Sequence, residues 1–334
     1  MKGNHMVWTV LLFALGLAII IKGGDWFVEA AVWLAEITGV PKILIGATVV
    51  SLATTLPEFF VSVLAVSGGQ AGLGIGNALG SIICNTGMIL AISLVVRPSK
   101  VEKSLFYKKA IIMFVSLVVL VVASLDGVLS RLEAIPLLVL LGVFVFLNVY
   151  HVKKSNLEQQ KQVHHIDTHR KKKWINIAKF VGGAAGIVVG AQLLVTYGSK
   201  IALALGVSEG IVGVTIIAVG TSLPELVTTI TAIRKNEASL GIGNILGANI
   251  LNMTMILSTC ALIAPSGLAV GAESITLGGA DISRTLFIDL PVVGLLFLLL
   301  IIPPIIFKGK LKRLQGISML AVYIAFIALL VLNV

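Results

Sequence analysis

Charged residues are scarce in this chain, and their scarcity excludes a soluble globular protein. Only 12% of the 334 residues are Asp, Glu, Lys or Arg, whereas 57% are hydrophobic and the mean hydropathy is +1.07. A soluble domain carries roughly 25% charged residues. Because the apolar residues form long runs, and helices satisfy their own backbone hydrogen bonds in lipid, the sequence predicts an all-α integral membrane protein.

Cysteine and histidine are also rare, and this excludes several kinds of site. The two cysteines, Cys84 and Cys260, lie far apart inside apolar runs, so they predict buried thiols and no disulfide framework. All five histidines fall outside the apolar runs. Without a nucleophile or a metal–histidine set in the membrane, we expect no enzyme activity and no bound cofactor.

Breaks in hydropathy divide the chain into ten candidate membrane helices joined by short connections. The hydrophilic stretch 151–174 is the only substantial linker, and it splits the chain nearly in half. Twenty Lys and Arg residues fall on the side of this linker and four on the opposite side. The positive-inside rule therefore places the linker in the cytoplasm and both termini outside a cell membrane. The ten spans are predicted at about 7–36, 41–66, 71–96, 105–124, 131–150, 175–204, 209–232, 238–264, 285–306 and 314–333.

The two halves of the chain repeat each other. A shift of 167 residues lays the motif 46–98 on 213–265 without gaps, and GLGIGNALGSIICN matches SLGIGNILGANILN at nine of fourteen positions. The predicted domains are a first five-helix repeat, 1–150, and a second, 175–334. Because five is odd, the second repeat enters the membrane from the opposite face, so the repeats are inverted. This arrangement is typical of secondary transporters, whose sites lie near the midplane between the repeats.

A Leu-Pro-Glu motif occurs inside one apolar span of each repeat, and it places Glu58 and Glu225 in the membrane. A charge at the bilayer centre costs about 2.5–3.5 kcal/mol on insertion scales. The interiors of the second, third, seventh and eighth spans contain no Lys or Arg that could act as a partner. The simplest missing partner is a cation from solution.

The neighbours of the two glutamates are rich in oxygen. Thr54, Thr55 and Ser62 lie on the helix face of Glu58, and Thr221, Ser222 and Thr229 repeat the pattern around Glu225. Pro57 and Pro224 lack an N–H, so each predicts a bend and a freed carbonyl four residues earlier. Such oxygens are the ligands of a hard cation such as Ca²⁺. Ser62 and Thr229 are equally well explained by hydroxyl bonds to their own helix.

The following span of each repeat adds neutral polar groups. Ser81 and Asn85 share one helix face, and Asn252 is the repeat counterpart of Asn85. The glycine pairs Gly76 with Gly80 and Gly243 with Gly247, each four residues apart, predict close helix packing. Amide and hydroxyl oxygens solvate an ion without adding charge, which favours its release.

These residues resemble a known family. ATTLPEFFVS with GNALGSIICN, and GTSLPELVTT with GNILGANILN, are similar to the two α-repeats of the cation/Ca²⁺ exchanger superfamily, and in particular to those of the prokaryotic Na⁺/Ca²⁺ exchangers. The resemblance implies antiport of Na⁺ and Ca²⁺ by alternating access, with the long first and sixth helices sliding across a bundle that binds the ions. The net charge of +10 comes from basic residues that cluster between the apolar spans, so it is interpreted as a topology signal and no nucleic-acid partner is expected. We expect the protein to function as a monomer surrounded by membrane lipids.

The resemblance also implies roles for single residues. Glu58 and Glu225 would bind Ca²⁺ together with the carbonyls of Thr54 and Thr221. The remaining ligands, mainly for Na⁺, would be Thr55, Ser81, Ser222, the carbonyls of Ser51 and Ala218, and Asn85 opposite Asn252. Three positions depart from the family pattern. Ala248 replaces a usual serine, Ile82 replaces a frequent asparagine, and Asn252 replaces an aspartate of the K⁺-dependent members.

Two other functions stay open at this point. An H⁺/Ca²⁺ antiporter would use a glutamate as the proton carrier, and the missing hydroxyl at Ala248 is compatible with it, although that branch usually carries a different acidic motif. A cation channel would need no inverted repeat. Uptake of Ca²⁺ driven by an outward Na⁺ gradient, and insensitive to a protonophore, distinguishes Na⁺/Ca²⁺ antiport from H⁺/Ca²⁺ antiport. A channel would instead pass ions at a single-channel current.

Overall fold

The computed structural model describes residues 2–159, 170–204, 218–271, 274–277 and 280–332. Within these ranges nine helices are long and apolar enough to cross a membrane. Residues 209–217 of the predicted seventh span lie outside the described ranges, so the count of ten stays a prediction. The helices are α1 (Lys2–Thr38), α2 (Lys42–Ser67), α3 (Ala71–Val96), α4 (Lys103–Ala123), α5 (Ala134–Gln159), α6 (Arg170–Ala204), α7 (Ala218–Thr221), α8 (Leu223–Arg234), α9 (Ala238–Ile263), α10 (Thr285–Ile306) and α11 (Arg313–Leu332).

The repeat seen in the sequence is present in the backbone. Helices α3 and α9 each contain a π-helical turn, at Asn85–Leu90 and at Asn252–Leu257. The bounds of both helices and of both turns differ by the same 167 residues that relate the two halves of the sequence. Turns of this kind occur most often at functional sites, and here each one begins at a predicted site residue.

Short strand pairs show that α3 and α9 run in opposite directions. Strand β1 (Ser99–Lys100) pairs with β6 (Lys310–Leu311), and β2 (Val128–Leu129) pairs with β3 (Leu268–Ala269), both antiparallel. Helix α4 separates β1 from β2 by about 31 Å, at 1.5 Å per residue. Because α3 ends beside β1 and α9 ends beside β3, the two equivalent helices end on opposite faces, as inverted repeats require.

A hairpin distinguishes the second half from the first. Strands β4 (Ser274–Leu277) and β5 (Ala280–Ser283) pair antiparallel just before α10. The sequence predicted only an extracellular loop for 266–284, which has no equivalent in the first half. This loop, which includes β3, begins at the end of α9. It therefore extends from the face that the charge distribution assigns to the outside.

Helices α3 and α9 lie at the centre of the bundle, and α1 and α6 lie at its edge. The apolar stretches of α3 and α9 are mostly buried, whereas those of α1 and α6 are mostly exposed. Glycines bring α1 and α6 close together. A Cβ placed at Gly183 would lie 2.7 Å from the backbone nitrogen of Phe27 and 2.8 Å from the Gly23 carbonyl oxygen. The two outer helices therefore pack as a pair.

The two prolines have different effects on their helices. Pro57 lies inside the continuous helical segment Ser51–Ser67. Pro224 instead lies in the first turn of α8, after a break at Ser222 (φ −89°, ψ 8°) that separates α7 from α8. The helix is therefore broken before Pro224 in the second half, whereas it continues through Pro57, where the predicted bend stays a prediction.

Candidate cation site

The centre of the site is a pair of carboxyl groups from opposite halves of the chain. Glu58 of α2 and Glu225 of α8 are both fully buried, each 0% exposed. Their carboxyl groups lie within interaction range of each other. Two like charges this close repel each other strongly in a medium of low dielectric constant, so the arrangement requires a positive partner or a shared proton.

Hydroxyl groups of the first half lie against the carboxylate of the second. Thr55 Oγ1 donates to Glu225 Oε1 at 3.4 Å. Thr54 Oγ1 lies 3.2 Å from Oδ1 of Asn244, on α9, and 3.3 Å from the carbonyl oxygen of Ser51. The sequence placed both threonines on the face of Glu58, but the contacts that they make reach across to the second half.

Many oxygen atoms in this region have no hydrogen-bond donor in the part of the chain that the structure describes. Buried polar atoms in native proteins are almost always hydrogen-bonded, and a group of acceptor oxygens without donors is the environment that a bare cation completes. The described residues bring together no cluster of three or more His, Cys, Asp or Glu side chains. An ion here would therefore be bound by two carboxylates and neutral oxygens. The buried acceptors without a partner include both carboxylate oxygens of Glu58, Glu225 Oε2, Ser81 Oγ, Ser222 Oγ, Asn85 Oδ1 and Asn252 Oδ1.

No basic side chain neutralises the two glutamates in the described part of the chain. The ion pairs seen there lie near helix ends and at the edge of the bundle. Glu29 of α1 binds Lys179 of α6 and Lys235, each at 2.9 Å, and Lys42 binds Glu237 at 2.5 Å. The missing counter-charge at the centre of the site is thus consistent with a dissolved ion.

The remaining predicted ligands lie on α2, α3, α7 and α9 and in the break before α8. Ser51, Ser81, Asn85 and Asn252 are buried, as is Ser222, which lies in the break between α7 and α8. Thr221 is half-buried at the end of α7, and Ala218 begins the same short helix. Asn85 and Asn252 are the first residues of the two π-helical turns.

The predicted packing glycines differ between the halves. A Cβ at Gly243 would lie 2.3 Å from the carbonyl oxygen of Ile43, and one at Gly247 would lie 2.4 Å from Ser51 Oγ. Both glycines therefore allow α9 to touch α2. At Gly76 the nearest group is the Arg284 guanidinium, at 3.2 Å, and no described atom lies within 4 Å at Gly80. A packing role for Gly80 stays a prediction.

Sequence reasoning missed two polar features of the site. Thr228, one turn after Glu225, is fully buried, and its hydroxyl has no partner. Thr86 and Asn249 hydrogen-bond to each other across the two halves at 2.7 Å. Neither feature repeats, because the counterpart of Thr228 is Val61 and that of Thr86 is Met253. The internal repeat, which was the main signal for the site, therefore could not reveal them.

Comparison with known proteins gives consistent matches along the chain. The family model described as sodium/calcium exchanger protein matches residues 8–150 and 175–332. The sodium/calcium exchanger MaX1 of Methanosarcina acetivorans is 31% identical over 96% of this chain and 97% of its own length. The inner membrane protein YrbG of Escherichia coli is 34% identical over 78% and 81%. A structure of the sodium-calcium exchanger NCX_Mj soaked with Na⁺ and Sr²⁺ matches with a TM-score of 0.79 at 31% identity, over 97% of this chain and 99% of that one.

Proposed function

Because this chain belongs to the sodium/calcium exchanger family, we propose that it is a secondary-active antiporter that exchanges Na⁺ for Ca²⁺ across the cell membrane. The observation that carries the proposal is the pair of buried carboxyl groups, Glu58 and Glu225, one from each half and without a basic partner among the described residues. The names of its relatives, among them MaX1 and NCX_Mj, support the same two ions.

We propose the following ligands for the two ions. Ca²⁺ binds to the carboxylates of Glu58 and Glu225 and to the carbonyl oxygens of Thr54 and Thr221. Na⁺ binds in overlapping positions through hydroxyl, carbonyl and amide oxygens. The buried oxygen atoms that receive no hydrogen bond from a described residue support these ligand assignments. The additional ligands are Thr55, Ser81, Ser222, Asn85 and Asn252, with the carbonyl oxygens of Ser51 and Ala218.

The charge of the site explains why the two ions compete. Two carboxylates carry a charge of −2, which one Ca²⁺ or two Na⁺ ions neutralise. An empty site leaves both negative charges without a partner in a medium of low dielectric constant. The effective desolvation penalty of such a buried charge is on the order of several kcal/mol. The empty protein therefore resists the change between its two faces, and ions cross only by exchange.

Alternating access requires one part of the protein to move against another. We propose that α1 and α6 move together across the bundle that contains Glu58 and Glu225. Their mutual glycine contacts and their position at the edge of the bundle support this division. Both halves of the site lie on one chain, so we propose that the protein works as a monomer. From the distribution of Lys and Arg, we propose that the linker 151–174 lies in the cytoplasm and both termini lie outside.

The experiment that tests this function is Ca²⁺ uptake into proteoliposomes with the Na⁺, H⁺ and K⁺ gradients varied one at a time. We expect uptake that requires an outward Na⁺ gradient and that survives a protonophore. Dependence on a pH gradient, and loss of uptake with the protonophore, would replace the proposal by H⁺/Ca²⁺ antiport. Uptake without any counter-ion would indicate a channel.

A further inference from the structure

A chain of three buried polar side chains connects the two halves next to the cation site. Asn85 Nδ2 donates to Asn249 Oδ1 at 3.3 Å, and Asn249 Nδ2 donates to Thr86 Oγ1 at 2.7 Å. All three residues are 0% exposed. Asn85 and Thr86 belong to α3, whereas Asn249 belongs to α9, so the chain crosses between the two inverted helices.

The orientation of an asparagine amide decides what it offers to an ion. The amide has one oxygen acceptor and one NH₂ donor, and only the oxygen can bind a cation. The Nδ2 of Asn85 is occupied by Asn249, and its Oδ1 has no partner among the described residues. In the second half, Asn252 reaches the same state by another route. Its Nδ2 donates to the carbonyl oxygen of Ala248 at 3.0 Å, and no described residue donates to its Oδ1.

We propose that Asn249 is a positioning residue that fixes the amide of Asn85, so that the Asn85 oxygen is available to the transported ion. Thr86 in turn fixes the amide of Asn249, because its hydroxyl oxygen accepts a hydrogen bond from Asn249 Nδ2. Asn249 is not among the proposed ligands, and its oxygen and its nitrogen both contact side chains of α3. This inference rests on the proposed function, in which Asn85 binds the ion.

The positioning pair, Asn249 and Thr86, has no polar equivalent at the matching positions of the repeat. The repeat counterpart of Asn249 is Ile82, and the counterpart of Thr86 is Met253. Both are buried and apolar, so they cannot orient an amide. Asn252 relies on a carbonyl of its own helix instead. The two asparagines, which are equivalent in sequence, are therefore held by different means, and the counterparts provide matched controls for substitutions in the positioning pair.

The test is the half-saturating Ca²⁺ concentration for Na⁺-driven uptake by the full chain in proteoliposomes. Thr86→Val keeps the side-chain shape and removes the hydroxyl, and Asn249→Leu removes the amide. We expect each to raise the half-saturating Ca²⁺ concentration roughly fivefold, the equivalent of about one hydrogen bond, with the maximal rate near that of the wild type. Thr86→Ser retains the hydroxyl and should recover the wild-type value. Met253→Leu and Ile82→Leu are the controls at the equivalent positions and should have no effect.

A second measurement separates positioning from general stability. In an Asn85→Ala background, Asn249→Leu should cause no additional weakening, because the group that it positions is gone. If Asn249→Leu does not fold, Thr86→Val and Thr86→Ser carry the test. The inference is overturned if the wild type exchanges ions but Thr86→Val behaves like Met253→Leu, or if Asn249→Leu still weakens Ca²⁺ uptake in the Asn85→Ala background. A wild type that shows no Na⁺-driven uptake would overturn the proposed function instead.

Discussion

The hydroxyl group of Thr55, in the first half of the chain, donates a hydrogen bond to Oε1 of Glu225, in the second half, at 3.4 Å. The carboxyl group of Glu58 lies within interaction range of the same glutamate. In the proposed site, each half would therefore supply ligands for an ion that the other half also binds. This interlocking explains why neither half provides a complete site and why substitutions in either half should affect the same ion.

Removing either carboxylate should abolish exchange. Glu58→Gln and Glu225→Gln each keep the shape of the side chain and remove one negative charge, which leaves too little charge to compensate a desolvated Ca²⁺. We expect Na⁺-driven Ca²⁺ uptake to fall to the level of protein-free vesicles in both variants. Glu102→Gln, at an exposed position outside the bundle, is the control and should transport normally. Near-normal uptake by Glu58→Gln would remove this residue from the site.

A methyl group at Gly247 should damage the site through packing. A Cβ there would lie 2.4 Å from Ser51 Oγ and 2.7 Å from Ala47 Cα, so α9 and α2 must separate. Overpacking of this kind typically costs about 1–3 kcal/mol. We expect Gly247→Ala to lower both the melting temperature in detergent and the affinity for Ca²⁺. Gly142→Ala, at an exposed position of α5, should change neither. Equal behaviour of the two variants would contradict the contact between α9 and α2.

A methyl group at Gly183 should affect the outer helix pair. Its Cβ would lie 2.7 Å from the backbone nitrogen of Phe27, and backbone cannot move aside as a flexible side chain can. We expect Gly183→Ala to push α6 away from α1 and to lower the exchange rate, while Ca²⁺ bound at equilibrium changes little because α1 and α6 supply no ligand. The adjacent Gly182 is exposed, and Gly182→Ala should behave like the wild type. A rate unchanged by Gly183→Ala would argue against movement of α1 and α6 as a closely packed pair.

Single cysteines should report the orientation in the membrane. Lys100, in β1, and Leu132, which is 77% exposed, lie near opposite ends of α4. In a chain whose two native cysteines are replaced by serine, a membrane-impermeant maleimide should label Leu132→Cys in intact cells. It should label Lys100→Cys only after the membrane is permeabilised. The reverse pattern would place the linker 151–174 outside the cell.

The sequence predicted those parts of the fold that depend on composition and on the internal repeat. Apolar runs are sufficient to predict helices in lipid. The repeat, with five predicted spans in each half, predicted an inversion, and the opposite directions of α3 and α9 agree with it. The same repeat pointed to Glu58 and Glu225 as a pair. Both signals are local or periodic, so a single sequence is sufficient to detect them.

Other features depend on which residues meet across the fold, and periodicity does not contain this information. The two Leu-Pro-Glu motifs are identical, yet the helix breaks before Pro224 and continues through Pro57. The hydrogen bonds of Asn249 to Asn85 and Thr86 join residues more than 160 positions apart, and both Asn249 and Thr86 have apolar counterparts in the repeat. The π-helical turns at Asn85–Leu90 and Asn252–Leu257 were not predicted from the sequence either.

The most direct test of the central claim is the position of a bound ion. Crystals of the wild-type protein soaked with Ca²⁺ or Sr²⁺ should show an anomalous scattering peak between the carboxylates of Glu58 and Glu225. The Ca²⁺ peak should lie about 2.3–2.6 Å from oxygen atoms of both residues, and excess Na⁺ should displace it. A peak that contacts only one of the two glutamates, or that persists unchanged in saturating Na⁺, would contradict a shared site at which the two ions compete.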